Sequence, residues 1–141
     1  MEQVNILKID HIGIAVKNLE DEKLKYHKLL GAAPGGEEFI ESEKVKICFF
    51  NVGEVRIELL QGTSVDSAIS VFLEKKGPGI HHLAFTVTDL EATLNKLADA
   101  GFQILDPKIR HGSHGMKISF IHPKSTGGLL VELCEPPEPR K

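Results

Sequence analysis

From Ile9 to Val16 the chain alternates between bulky apolar residues and small or polar ones. Ile12, Ile14 and Val16 fall on one face of an extended strand, and His11, Gly13 and Ala15 on the other. The pattern returns 71 positions later, with Leu83, Phe85 and Val87 set against His82, Ala84 and Thr86. Ile9/Ile80, His11/His82, Val16/Val87, Leu19/Leu90 and Glu20/Glu91 are identical pairs across the two stretches. A bulky face can pack a helix, whereas small residues beside a histidine leave room for a ligand. The pattern therefore predicts a concave, ligand-lined sheet rather than a filled core. Asn18 and Asp89 are expected to cap helices that follow each strand. Their apolar stripes are Tyr26, Leu29 and Leu30 before Gly31, and Leu90, Leu94, Leu97 and Ala98 before Gly101.

Three more strands are expected in each half. In the first half they lie near 36–40, 45–52 and 55–60, with Asn51-Val52-Gly53-Glu54 as a hairpin turn; in the second they lie near 103–105, 116–121 and 129–133. Each half then reads strand, helix, strand, strand, strand. The fold class is α+β, with two tandem βαβββ modules at 1–62 and 80–135 forming a concave sheet around a metal site. Residues 63–79 form a linker with a short helix over 67–76, in which Val71, Phe72 and Lys75 lie one turn after Ala68. Gly77-Pro78-Gly79 closes that helix. The tail at 136–141 carries three prolines and almost no apolar side chain, so fraying is expected there.

A chain of 141 residues gives each half about 60, which is marginal alone. The modules should therefore depend on each other. Net charge is −3, and the 17 Lys and Arg residues are scattered, so the basic stripe required by nucleic acid is missing. No stretch approaches the roughly 18 apolar residues of a membrane span, and the N-terminus has no secretory pattern. A soluble, cytoplasmic protein is expected. Cys48 and Cys134 lack CxxC spacing and sit in apolar runs, where a buried small hydrophobe is the natural reading.

The repeat also carries chemistry. Glu58, in Val55-Arg56-Ile57-Glu58-Leu59-Leu60, and Glu132, in Leu129-Leu130-Val131-Glu132-Leu133-Cys134, occupy matching places near the ends of the two halves. One strand histidine is usually a hydrogen-bonded core residue, and one strand glutamate usually points to solvent. A carboxylate inside each of two apolar runs is different, because burying it unpaired costs several kcal/mol. A shared cation would remove that cost for both. His11, Glu58, His82 and Glu132 are therefore the candidate metal ligands. Two imidazoles and two carboxylates with no thiolate suit an octahedral divalent ion. Co²⁺ is the first expectation, with Mn²⁺, Ni²⁺, Mg²⁺, Fe²⁺ or Zn²⁺ as alternatives. His81 points to the opposite strand face from His82, and His27 lies on a charged helix. His111, His114 and His122 belong to loops.

These residues resemble the vicinal oxygen chelate superfamily and, within it, the methylmalonyl-coenzyme A epimerase family. The resemblance rests on Ile9-Asp10-His11-Ile12-Gly13-Ile14-Ala15-Val16, Ile57-Glu58-Leu59-Leu60, Asp66-Ser67 and Gly79-Ile80-His81-His82-Leu83-Ala84. It continues through Ile118-Ser119-Phe120-Ile121-His122-Pro123-Lys124 and Gly128-Leu129-Leu130-Val131-Glu132-Leu133. It implies an isomerase that interconverts (2R)- and (2S)-methylmalonyl-CoA by removing the C2 proton through a metal-stabilised enolate. It places the metal on His11, Glu58, His82 and Glu132, with Glu132 also available as the base. Some members carry a glutamate in the third strand of the first module, where Ile47 stands here, and Glu41 and Glu43 lie just before that strand. Ser113, His114 and Lys124 are candidates for acyl-CoA contacts, and Lys117 is a weaker one. The resemblance implies a homodimer. Competing readings on the same fold are a glyoxalase-type isomerase, a ring-cleaving dioxygenase, or a non-catalytic metal-dependent ligand-binding protein.

Overall fold

The computed structural model describes residues 3–138. In chain order the elements are β1 (Ile6–Ala15), α1 (Leu19–Leu30), β2 (Glu37–Ile40), β3 (Val45–Val52), β4 (Val55–Gly62) and α2 (Ala68–Lys76). They continue with β5 (Gly79–Val87), α3 (Leu90–Asp99), β6 (Arg110–His111), β7 (Lys117–Ile121) and β8 (Val131–Glu135). Of the tail, residues 136–138 are exposed and irregular, and 139–141 lie outside the described residues.

The chain separates into two units, one of residues 11–81 and the other of residues 3–10 with 82–138. In the first, the strand order is β2-β3-β4-β1. β1 runs parallel to β4, while the β2–β3 and β3–β4 pairs are antiparallel. The second repeats this plan as β6-β7-β8-β5, with β5 parallel to β8 and the other two pairs antiparallel. The α+β class and the duplicated βαβββ plan are thus as expected.

Local chemistry explains the element ends. The Asn18 side chain accepts a hydrogen bond from the Asp21 N–H at 3.0 Å, and Asp89 does the same for Ala92 at 3.0 Å. Ser67 caps α2 through the Ser70 N–H at 3.1 Å. Gly31 ends α1 in the left-handed region at φ 65°, where a Cβ is disfavoured. Val52 pairs with Val55, so the first hairpin turn is two residues, Gly53-Glu54, rather than four. A turn this tight needs positive φ at its first position, and Gly53 supplies 61°.

Helix faces depart from the expected stripes at three places. In α1, Leu19, Tyr26 and Leu30 pack on Cys48, Phe50 and Leu59, whereas Leu29 is exposed. In α2, Ile69, Phe72 and Leu73 turn inward onto Ala15, Val45, Ile47, Phe49 and Leu60, and Val71 faces out. In α3, Leu90, Leu94 and Leu97 pack on Val87, Ile121 and Leu133, while Ala98 is exposed. A helix advances about 100° per residue, so a neighbour one position along the chain leaves the stripe. The strand expected at 103–105 reduces to a single bridge, Ile104 to Ile121, and the outer strand is β6 instead. Pro107 stands two residues after Leu105 and has no N–H to extend a ladder.

Cys48 and Cys134 are both thiols rather than disulfide partners and are fully buried, as expected of small hydrophobes. The repeat partner of Cys48 is Ser119, also fully buried, whose hydroxyl has no hydrogen-bond partner among the described residues. Leaving a hydroxyl desolvated and unpaired costs about 1–3 kcal/mol. Replacing Ser119 with cysteine, as the first module already does, should raise unfolding stability by about 1 kcal/mol. Urea denaturation checks this, and a lower midpoint would count against it.

Candidate metal centre

Each module brings its own histidine and glutamate together. In the first, Gly13 of β1 lies opposite Glu58 of β4, and His11 sits two residues earlier on the same face. His11 Nδ1 is 3.4 Å from Glu58 Oε2, with both side chains 3% exposed. In the second, Ala84 of β5 lies opposite Glu132 of β8, again with the histidine two residues earlier. His82 Nε2 is 3.4 Å from Glu132 Oε1, and both groups are buried. Because Gly13 and Ala84 are small, the space across from each carboxylate is left to the imidazole. Phe49 and Phe120, repeat partners on β3 and β7, lie opposite Glu58 and Glu132 from the other side. The Phe120 ring meets His82 edge-on, with centroids 6.1 Å apart.

Burying a carboxylate and an imidazole together is a poor way to stabilise a fold, since the cost of desolvating such groups can exceed what their contact returns. The same donors fit a divalent cation well. His11, His82 and Glu132 are among the buried residues able to offer one donor atom each to a metal ion. Glu58 adds a carboxylate of the same kind.

Residues 10–120 match the model of the Glyoxalase/Bleomycin resistance protein/Dioxygenase superfamily. The chain is 45% identical over 129 residues to the uncharacterized protein YqjC of Bacillus subtilis, covering 92% of each. It is 38% identical to the ethylmalonyl-CoA/methylmalonyl-CoA epimerase of Cereibacter sphaeroides, covering 89% of this chain and 96% of the relative. Among solved structures, it aligns with a Streptomyces coelicolor methylmalonyl-CoA epimerase variant in complex with 2-nitronate-propionyl-CoA. That match has a TM-score of 0.88 and 33% identity, and covers 94% of this chain and 96% of the other. The chain belongs to the methylmalonyl-CoA epimerase family. The family consists of enzymes, and the wider superfamily is one whose members bind divalent metals.

Other residues singled out in this epimerase family member fall into distinct settings. Ser113 is buried at the start of a 3-10 turn, Ser113–Gly115. His114, within the same turn, is exposed and adopts φ 58°. Lys124 is exposed in the turn Pro123–Ser125, which the His122 side chain caps, its Nδ1 accepting from the Lys124 N–H at 3.0 Å. Lys117 is exposed and lies 3.8 Å from Glu135. Ile47 is buried among Val45, Phe49 and Leu60, on the same sheet face as Glu58. Glu41 and Glu43 form a 3-10 turn before β3, with Glu41 exposed and Glu43 half-buried.

Asp66, in the Asp66-Ser67 motif, is held near a pKa of about 2 by its hydrogen bonds from Lys44 and Ser64. The Lys44 ammonium approaches it to 2.6 Å. This motif therefore anchors the start of α2. His81 packs edge-on against Phe72 at 5.1 Å, and burial, with a smaller contribution from Lys76, pushes its pKa down to about 4. It is neutral packing on the face away from His82. His27 is exposed.

Two polar groups, one buried and one half-buried, escaped the sequence reading. Asp10 accepts a hydrogen bond from the Thr86 hydroxyl at 3.1 Å, and both residues are buried. Arg56 lies on the same face as Glu58, with Nη2 3.7 Å from Glu58 Oε2. The signal for Arg56 was a single cation inside the apolar run before Glu58, with Leu130 at the matching place in the second module.

Proposed function

We propose that the protein interconverts the 2R and 2S forms of methylmalonyl-CoA by metal-dependent proton transfer at C2. His11, Glu58, His82 and Glu132 would hold one divalent cation, with cobalt the first expectation. The observation that carries this reading is the matching buried histidine–carboxylate pair in each module, at 3.4 Å in both. When bound, such a cation supplies Lewis acidity toward a thioester oxygen, the position where negative charge develops as the C2 proton leaves.

The chain's own part is to bind and orient the thioester and to move the proton. Epimerisation needs removal of the C2 proton, a planar enolate, and return of a proton from the opposite face. Glu132 is the carboxylate assigned to proton transfer on one face. Ile47 is apolar and carries no proton, so β3 does not serve the other. Ser113, His114 and Lys124 are assigned to the acyl-CoA moiety. Support for that ligand class comes from the Streptomyces relative, whose structure holds a propionyl-CoA analogue. The same reading carries a cytosolic homodimer. Two cysteines held as thiols accord with a reducing compartment, and no helix among the described residues is long and apolar enough to cross a membrane.

The test is solvent exchange. Protein loaded with Co²⁺ or Mn²⁺ is incubated in deuterium oxide with methylmalonyl-CoA, and with ethylmalonyl-CoA because the Cereibacter relative is named for both. Deuterium at C2 is the expected result. Metal-loaded protein that incorporates none overturns the proposal, and oxygen uptake with iron and a catechol would replace it with a dioxygenase.

A further inference from the structure

The two modules match at the histidine, at the glutamate, at the small residue opposite it and at the phenylalanine beyond. They differ two residues before the glutamate, where the first has Arg56 and the second Leu130. Arg56 faces His11 across the β1–β4 pair, and its guanidinium lies 3.7 Å from the Glu58 carboxylate. Its side chain is 19% exposed, against 3% for Glu58, so a solute can reach it where the carboxylate is covered. On this strand face the remaining β3 and β4 positions are Val45, Ile47, Phe49, Asn51, Leu60 and Gly62, none of them charged.

We propose that Arg56 is the specificity-determining residue that recognises the free carboxylate of the malonyl group. This rests on the functional reading above. An epimerase acting on a malonyl-type thioester must prefer it to the abundant simple acyl thioesters, which lack the second carboxylate. A cation near the reacting carbon but off the thioester itself strengthens that preference. A guanidinium suits this role because its planar donors match a carboxylate and its charge is permanent. Its neighbour Glu58 keeps it on the sheet face when no substrate is present. The asymmetry has a function too: one substrate bears one free carboxylate, so only one copy of the repeat carries the cation.

The experiment compares binding of methylmalonyl-CoA and propionyl-CoA by calorimetry, using metal-loaded protein and the variants Arg56→Leu, which mirrors Leu130, and Arg56→Lys. Losing a charged hydrogen-bond partner is worth about 10- to 100-fold in affinity. Arg56→Leu should therefore weaken methylmalonyl-CoA by about that factor and leave propionyl-CoA within about twofold, while Arg56→Lys recovers part of the loss. Metal content is measured on every sample and should be unchanged. Equal weakening of both thioesters, loss of metal, or no change in either affinity each overturns the assignment. Failure of the unaltered protein to exchange the C2 proton overturns the functional reading instead, and the two failures are told apart by the wild-type sample.

Discussion

Replacing His82 with alanine should remove the stoichiometric divalent metal from the protein and slow C2 proton exchange by about 10³-fold. His82 and Glu132 are buried partners, and a divalent ion bound there gains from both. Taking away the imidazole would leave three of the four proposed donors and a cavity where the ring met Phe120. A Lewis acid at the thioester oxygen is worth several kcal/mol of transition-state stabilisation, and about 4 kcal/mol corresponds to the stated factor. His27→Ala, on the exposed side of α1, is the control and should change neither quantity. Elemental analysis of the as-isolated proteins decides the ligand assignment independently of activity. A His82→Ala protein with unchanged metal content refutes it.

How much of this could be read from sequence follows from what repeats and what does not. The duplicated His–Glu spacing survives as a duplicated register, with Gly13 opposite Glu58 and Ala84 opposite Glu132, because two parallel strand pairs of the same plan fix the same offset. Asn18 and Asp89 were legible for a local reason, since a cap needs only its own helix's N–H groups. Leu29, Val71 and Ala98 were misplaced because which edge of a helix meets the sheet depends on packing that periodicity resolves only to about one residue. The outer strand of the second module was displaced from 103–105 to Arg110–His111 by pairing with β7, a long-range contact with no local signature. Arg56 was missed for the opposite reason to the ligands. Repetition drew attention to the residues that match, whereas Arg56 acts where the copies differ.

The face away from the proposed metal ligands carries much of the packing, and Phe50→Ala should cost about 3–5 kcal/mol. Phe50 is fully buried between β3 and α1, against Val16, Leu19, Cys48 and Leu59, with Tyr26 beside it at a ring separation of 6.2 Å. Its neighbours are spread over α1, β3, β4 and the residue after β1, each held in regular structure, so both the transfer loss and the cavity term apply. Its repeat partner Ile121 fills the same place against Leu90, Leu94 and Leu133, and Ile121→Ala should cost about 2–5 kcal/mol. Against a typical total of about 5–15 kcal/mol, either loss removes a large fraction of the fold's stability. Phe50 and Phe49 are adjacent but point to opposite sheet faces, so the variant leaves the contact row opposite Glu58 intact. Guanidinium denaturation of the metal-free protein should show the full loss. Metal bound to the surviving native fraction should keep its stoichiometry, because the helix-side cavity does not touch the His11–Glu58 pair. A denaturation midpoint within error of the unaltered protein would mean that α1 is not anchored on this face as the packing indicates.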